Sequence, residues 1–160
     1  MHGGCEFRPD PIAVARWVRR RYRVSTPVDT VSLARRMGLR VEYARLPAHR
    51  PGYLIRCEPD LYVILINRRD GIHRRNWTCA HEQGHYIMHR DLQFVHAFSP
   101  DDRGSNHRLI EREANRFAAE LLMPASEVRE LAPTMCFLSL AAHFGVSRQA
   151  MHLRLLEMNM

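Results

Sequence analysis

The stretch from Asn76 to His89 constrains this chain most, because it contains the pattern His81-Glu82-x-x-His85. Small or apolar residues recur in it every three or four positions, as on a helix with one buried face; they are Trp77, Ala80, Gly84, Ile87 and Met88. On a helix, His81 and His85 project from the same side, so both imidazoles reach one metal ion. Glu82 lies about 100° around the helix, where its carboxylate reaches a water on that ion. This is the arrangement of a zinc hydrolase with Glu82 as general base.

Gly84 lies inside this helix, between the two histidines. Glycine in a helix interior costs about 1 kcal/mol relative to alanine. A missing side chain beside the metal ligands would leave room for a neighbouring strand or for a substrate, so we expect a close neighbour at this position.

A catalytic zinc site needs a third protein ligand and one open position for water. Glu111 and Glu113, on the next predicted helix, are the candidates, and because they are two residues apart they face different directions. Glu111 shares the apolar side with Ala114 and Ala118, so we expect it to point inward. Glu113 shares a side with Glu120 and is expected to be more exposed. Glu111 is the preferred third ligand and Glu113 the alternative. Zinc is the expected metal, although these ligands also suit manganese or iron.

Other polar side chains are candidates for a supporting role around the metal. Asn115 comes one turn after Glu111 and could hydrogen-bond a ligand histidine. His89 comes one turn after His85, on the same face. The remaining candidates to support a ligand or stabilise an oxyanion are Tyr86, His96 and His107. For each of these side chains, packing or a surface position is the alternative interpretation.

The composition indicates one globular domain of 160 residues. No run of eighteen apolar residues predicts a membrane span, and the N-terminus has no signal-peptide core, so we expect a cytoplasmic protein. The formal net charge of +7 comes mostly from arginines spread along the chain. A basic balance suits nucleic acid or an acidic protein, and the lack of clustering makes DNA the less favoured partner. The four cysteines are scattered, so neither disulfides nor a cysteine-based zinc site is expected.

Residues with the pattern of strands precede the predicted helix that contains His81 and His85, and residues with the pattern of helices follow it. Residues 39–43, 52–56 and 61–67 have the composition of strands, and the short turn between the last two predicts a hairpin. We therefore expect an α+β fold in which a small antiparallel sheet packs on a helical core. If the third strand is a sheet edge, an extended substrate segment can pair with it and present its scissile carbonyl to the metal. The residues of that substrate strand are Tyr62, Ile64 and Ile66.

The C-terminal part has the pattern of a helix-turn-helix. Gly145 suits its turn, and Ser147 suits the start of its second helix. DNA contact through the second helix is one interpretation. Packing on the rest of the chain, or substrate recognition, is favoured because the second helix is not strongly basic. Between the two ligand-bearing helices, residues 90–106 have little periodicity and predict a mobile loop that could form a lid.

Two segments carry a resemblance to a known family. They are Trp77-Thr78-Cys79-Ala80-His81-Glu82-Gln83-Gly84-His85-Tyr86-Ile87-Met88-His89 and Glu111-Arg112-Glu113-Ala114-Asn115-Arg116-Phe117-Ala118-Ala119-Glu120-Leu121-Leu122-Met123-Pro124. With residues 28–38 and 140–155, they make the chain similar to the ImmA/IrrE-type metallopeptidases over residues 11–157. One departure is Trp77, where the family usually has phenylalanine.

The resemblance implies a zincin-like helical core and a gluzincin-like site. His81 and His85 would be metal ligands, Glu82 the general base and Glu111 the third ligand. The implied organisation is an N-terminal arm (1–10), a metallopeptidase domain (11–132) and a helix-turn-helix-like segment packed on it (133–160). Members of the family typically cleave a helix-turn-helix repressor, often encoded next door. The implied partner is therefore a protein substrate, a repressor or an antitoxin.

Overall fold

Seven helices and three strands make up the part of the chain that the computed structural model describes, residues 8–90 and 105–160. In chain order they are α1 (Pro11–Arg21), α2 (Thr30–Arg36), β1 (Arg40–Ala44), β2 (Gly52–Glu58), β3 (Leu61–Asn67), α3 (Ile72–His89), α4 (Ser105–Leu122), α5 (Ala125–Leu131), α6 (Phe137–His143) and α7 (Arg148–Glu157). The expected α+β fold is confirmed. The predicted N-terminal arm and the predicted mobile loop lie largely outside the described residues.

The sheet is mixed and has the strand order β1-β3-β2. β2 and β3 form the predicted antiparallel hairpin, but β1 pairs parallel to β3, so the expectation of a wholly antiparallel sheet was wrong. The expectation that β3 is an edge was also wrong, since it is hydrogen-bonded on both sides. The physical reason is burial. Ile64 and Ile66 are fully buried, and a nearly continuous apolar run is typical of a central strand.

Helices α3 and α4 pack together with very little space between them. A Cβ atom added to Gly84 would lie 2.9 Å from Cδ1 of Phe117 and 3.4 Å from Cα of Ala114. The close neighbour expected at Gly84 is therefore helix α4, and neither a strand nor a substrate. Gly52 has the same role between strand and helix, because a Cβ there would lie 2.5 Å from Thr78 Cγ2. These two glycines set the distances between α3 and its neighbours.

The predicted helix-turn-helix is present as α6 and α7. Gly145 lies in the turn with a positive φ of 64°, and the Ser147 hydroxyl accepts a hydrogen bond from Ala150 N at 3.1 Å. Leu140, Phe144 and Met151 are buried in the main hydrophobic cluster together with residues of α1 and α4. The helix pair therefore shares one core with α3 and α4, the helices that carry His81, His85 and Glu111.

A buried ion-pair network fastens α7 to α4. Arg154 is 6% exposed, pairs with the carboxylate of Glu120 and donates from Nε to Met123 O at 3.0 Å. Arg16 of α1 donates to the other Glu120 oxygen at 2.8 Å. Glu120 itself is 1% exposed, which corrects the expectation that its side of α4 is the exposed one. No helix in the described ranges is long and apolar enough to cross a membrane.

Candidate metal centre

Three donor side chains meet where α3 and α4 pack. His81 Nε2 and His85 Nε2 are 3.0 Å apart, as expected for residues one turn apart on α3. Glu111 reaches across from α4, with one carboxylate oxygen 3.3 Å from His81 Nε2 and the other 3.2 Å from His85 Nε2. All three donor atoms lie within 4.8 Å of one another. The preferred third ligand is thus beside both histidines.

These spacings suit a metal ion. Zinc binds nitrogen and oxygen donors at about 2.0–2.2 Å, so neighbouring ligands of a tetrahedral site lie about 3.3 Å apart. The observed separations of 3.0, 3.2 and 3.3 Å are close to that value. Two imidazoles and one carboxylate form the donor set of many catalytic zinc sites. The residues present therefore fit a zinc ion with one position left open.

The hydrogen bonds at Nδ1 of His81 and His85 allow each Nε2 to offer a lone pair when the ring is neutral and the Nε2 proton has given way to a metal ion. His81 Nδ1–H donates to Asn115 Oδ1 at 3.0 Å. His89 Nε2–H donates to Glu113 at 2.9 Å, so its Nδ1 accepts from His85 Nδ1–H at 3.1 Å. Both ligand rings therefore direct an acceptor nitrogen at the same point, which an ion would occupy. Such partners also fix the orientation of ligand histidines.

Glu113, the alternative third ligand, belongs to the series of hydrogen bonds that orients His85 through His89. Glu113 lies under His89, with its side chain 14% exposed, whereas that of Glu111 is 33% exposed. The expectation that Glu113 is the more exposed of the two was wrong. The reason is that His89, one turn beyond His85, covers it.

The charge state of the cluster follows from burial and from the mutual contacts. Burial lowers the pKa of His85 to about 4, which keeps this ring neutral at pH 7. Burial also acts to lower the pKa of His81, but the hydrogen bond to Glu111 and the charges of Glu82 and Glu111 together outweigh it and raise that pKa. Burial acts to raise the pKa of Glu111, yet its bonds to both histidines dominate and hold that pKa well below its usual range. Glu111 is therefore an ionised ligand.

Glu82 lies beside the ligands and is 8% exposed. Burial raises the pKa of its carboxyl group to about 7, while the charge of His81 and a backbone hydrogen bond from Leu54 act in the opposite direction. A carboxyl group with a pKa near neutrality both takes up and releases a proton at working pH. This is the property that a general base needs when it later acts as a general acid.

A cavity of about 830 Å³ opens in front of the cluster. Its walls come from β2, α3, α4 and α7, and its lining includes His81, Glu82, His85 and Glu111. Leu54 contributes from β2 and Leu153 from α7. Sequence reasoning missed the contribution of β2, for which Gly52 at the head of that strand was the available signal of close contact with α3, whereas packing or substrate recognition was the favoured interpretation for the helix pair that contains α7.

The remaining candidate residues differ in where the structure places them. His107 and Asn115 line the cavity, whereas His96 lies outside the described residues. Tyr86 packs edge-on against Tyr62 with ring centroids 5.0 Å apart. Neither tyrosine is among the described residues that line the cavity. The structure therefore does not bring Tyr86 to the metal cluster.

We expect His89→Ala to weaken zinc binding by roughly 10- to 100-fold, the usual effect of losing a group that orients a ligand histidine. The reason is that His85 Nδ1–H loses its acceptor at 3.1 Å. Competition titration with a chromophoric chelator measures the affinity. His152→Ala, at an exposed position on α7, is the matched control. Unchanged affinity in folded His89→Ala would show that His85 does not depend on this contact.

The mixed sheet, the packed pair α3–α4 and the His–His–Glu cluster define a metallopeptidase-like α+β domain. A family model described as "Peptidase_M78: IrrE N-terminal-like domain" matches residues 34–156. The chain belongs to this family, which confirms the resemblance noted in the sequence. The family name indicates protease activity and a metal.

A solved structure gives a second comparison. The chain is similar to a Mycobacterium tuberculosis transcriptional regulator, with a TM-score of 0.67 and 23% sequence identity. The match covers 91% of this chain and 46% of the regulator's chain, so this chain spans less than half of that protein. At this identity the likeness establishes the fold. The comparison with curated proteins found no match.

Proposed function

We propose that this protein is a zinc-dependent endopeptidase that cleaves a helix-turn-helix repressor or antitoxin and so relieves repression. The observation that carries the proposal is the position of Glu82, buried beside three metal-ligand side chains at the wall of an open cavity. A purely structural metal site needs neither an adjacent carboxylate nor access for a substrate.

The residues act in a fixed order. His81, His85 and Glu111 would hold a zinc ion, which supplies Lewis acidity at the scissile carbonyl and lowers the pKa of water. Glu82 takes the proton of the attacking water and then donates it to the leaving amine nitrogen. Asn115 and His89 keep the ligand rings oriented.

Substrate presentation is assigned to β2 in place of β3. β2 is an outer strand of the described sheet, and Leu54 on it hydrogen-bonds the Glu82 carboxylate. The outer edge of β2 therefore lies next to the general base. Tyr53 and Leu54 line the cavity, so an extended segment paired with β2 would pass in front of the metal cluster.

The repressor or antitoxin substrate is supported by the family. Such substrates act on DNA in the cytoplasm, so a cytoplasmic location is part of the proposal. A second candidate function is a DNA-binding or partner-binding regulator with a structural or sensing metal, since the similar solved structure is that of a transcriptional regulator. The contacts of α7 favour the peptidase function over DNA binding by this helix. Gln149 and Leu153 on this helix line the cavity, and Arg154 is buried.

The test is a cleavage assay with the purified protein and the helix-turn-helix regulator encoded beside it. We expect mass spectrometry to show two fragments with the zinc-loaded protein. Cleavage should stop when a chelator removes the metal and return when zinc is added back. Cleavage that continues without metal would exclude the proposed mechanism. An intact regulator that instead binds DNA jointly with this protein would favour the second candidate.

A further inference from the structure

Two arginines of α4 line the cavity. Arg112 and Arg116 are exposed, one turn apart, and each directly follows a residue of the metal centre, Glu111 or Asn115. Within residues 8–90 and 105–160, neither guanidinium group has a hydrogen bond or an ion pair. They therefore place two positive charges, without a partner among the described residues, in the wall of the cavity that the metal-ligand side chains also line.

Two other arginines that line the same cavity are paired with carboxylates. Arg74 pairs with Asp70 at 3.3 Å, and Arg154 pairs with the buried Glu120. Like charges one turn apart on a helix repel each other and weaken it slightly. The repulsion between Arg112 and Arg116 therefore lowers the stability of the helix slightly. An anionic group bound between the two side chains would offset this effect.

The surroundings favour a peptide over a nucleic acid as the source of that anion. Glu82, Glu111 and Glu157 line the same cavity and would repel a continuous phosphate backbone. Leu54, Trp77 and Leu153 add apolar surface to its walls. The outer edge of β2, which pairs with no further strand among the described residues, offers main-chain hydrogen bonds to an extended chain. A partly apolar peptide segment with isolated carboxylates is the ligand that best matches these charged, apolar and main-chain groups.

We propose that Arg112 and Arg116 select peptide segments that carry aspartate or glutamate near the bond held at the metal centre. The proposal rests on the proposed peptidase function, because it assigns a specificity to the same cavity. The two guanidinium groups would pair with substrate carboxylates at the cavity wall. They are specificity-determining residues and take no part in moving protons.

The experiment measures binding without turnover. Full-length zinc-loaded Glu82→Gln protein is immobilised and incubated with a random decapeptide library, and the bound fraction is sequenced by mass spectrometry. We expect roughly fivefold enrichment of Asp and Glu over Asn and Gln, as for two exposed ion pairs. Adding Arg112→Gln/Arg116→Gln should abolish the enrichment, and Arg112→Glu/Arg116→Glu should enrich Lys and Arg. The matched control is Arg35→Gln/Arg129→Gln, which removes two exposed arginines outside the cavity.

Three results would overturn the proposal. The first is no acidic enrichment, or the same enrichment in the Arg112/Arg116 variant. The second is an equal loss in the control variant, which would trace the enrichment to the net charge of +7. The third is displacement of the peptides by a random-sequence oligonucleotide whose binding needs Arg112 and Arg116. Cleavage of the library by the wild-type protein is scored separately, and its absence counts against the peptidase function alone.

Discussion

The Glu82→Gln protein should bind zinc as the wild type does and hydrolyse its substrate about 10²- to 10⁴-fold more slowly. That range is the usual contribution of a general acid–base group. Glutamine has the shape of glutamate and keeps an oxygen that can accept the hydrogen bond from Leu54, but it cannot take a proton. The ligands His81, His85 and Glu111 are unchanged. A chelator competition titration gives the affinity, and a single-turnover cleavage assay gives the rate.

The matched control for this experiment is Glu130→Gln, the same chemical change at an exposed position of α5. It should leave both the rate and the affinity unaltered. If Glu82→Gln cleaved at the wild-type rate, another group would have to accept the proton. If wild-type cells and Glu82→Gln cells showed the same gene regulation, the metal would have a structural or sensing role.

The Arg154→Met protein should lose about 3 kcal/mol of unfolding free energy. Removing one partner of a buried ion pair leaves a buried charge behind, and this typically costs about 3–5 kcal/mol. Glu120 is 1% exposed but keeps its bonds to Arg16 and to the backbone N–H of Ala125, so a value at the lower end is expected. Urea denaturation followed by circular dichroism measures the change. Arg148→Met, at an exposed position of the same helix, should alter stability by less than about 0.5 kcal/mol.

The double variant Arg154→Met/Glu120→Gln separates the lost pair from a packing defect. Removing the second charge should recover much of the lost stability, because a buried pair and its neutral replacement often differ little. Equal losses in the single and double variants would indicate that Arg154 acts through its aliphatic stem. A loss below about 1 kcal/mol in the single variant would show that α7 is not fastened by this ion pair.

The part of the site that lies on a single helix could be predicted from the sequence. The spacing of His81 and His85 alone places two imidazoles on one side of α3, and the observed Nε2–Nε2 distance is 3.0 Å. The periodicity of α4 was enough to prefer Glu111 over Glu113 as the neighbour of these histidines. The strand run 61–67 was also recognised, and its hairpin with β2 is confirmed.

The rest depends on which elements become neighbours, and local spacing does not contain that information. β1 joins β3 in parallel, so the strand expected at the edge became the centre of the sheet. Glu120 was assigned to an exposed side because its partner, Arg154, lies on a distant helix. Glu113 was misjudged for a similar reason, since the covering ring of His89 comes from α3.

The ligand set spans two helices, with residues 90–104 between them in the chain. A metal ion that bonds His85 and Glu111 at once would therefore be a reversible cross-link between α3 and α4 that exists in the folded chain and is lost on unfolding. Ligands that bind only the folded state add to its stability in proportion to the logarithm of their concentration. The lifetime of this protein in the cell would then follow the metal supply, so scarcity would reduce its abundance as well as its activity.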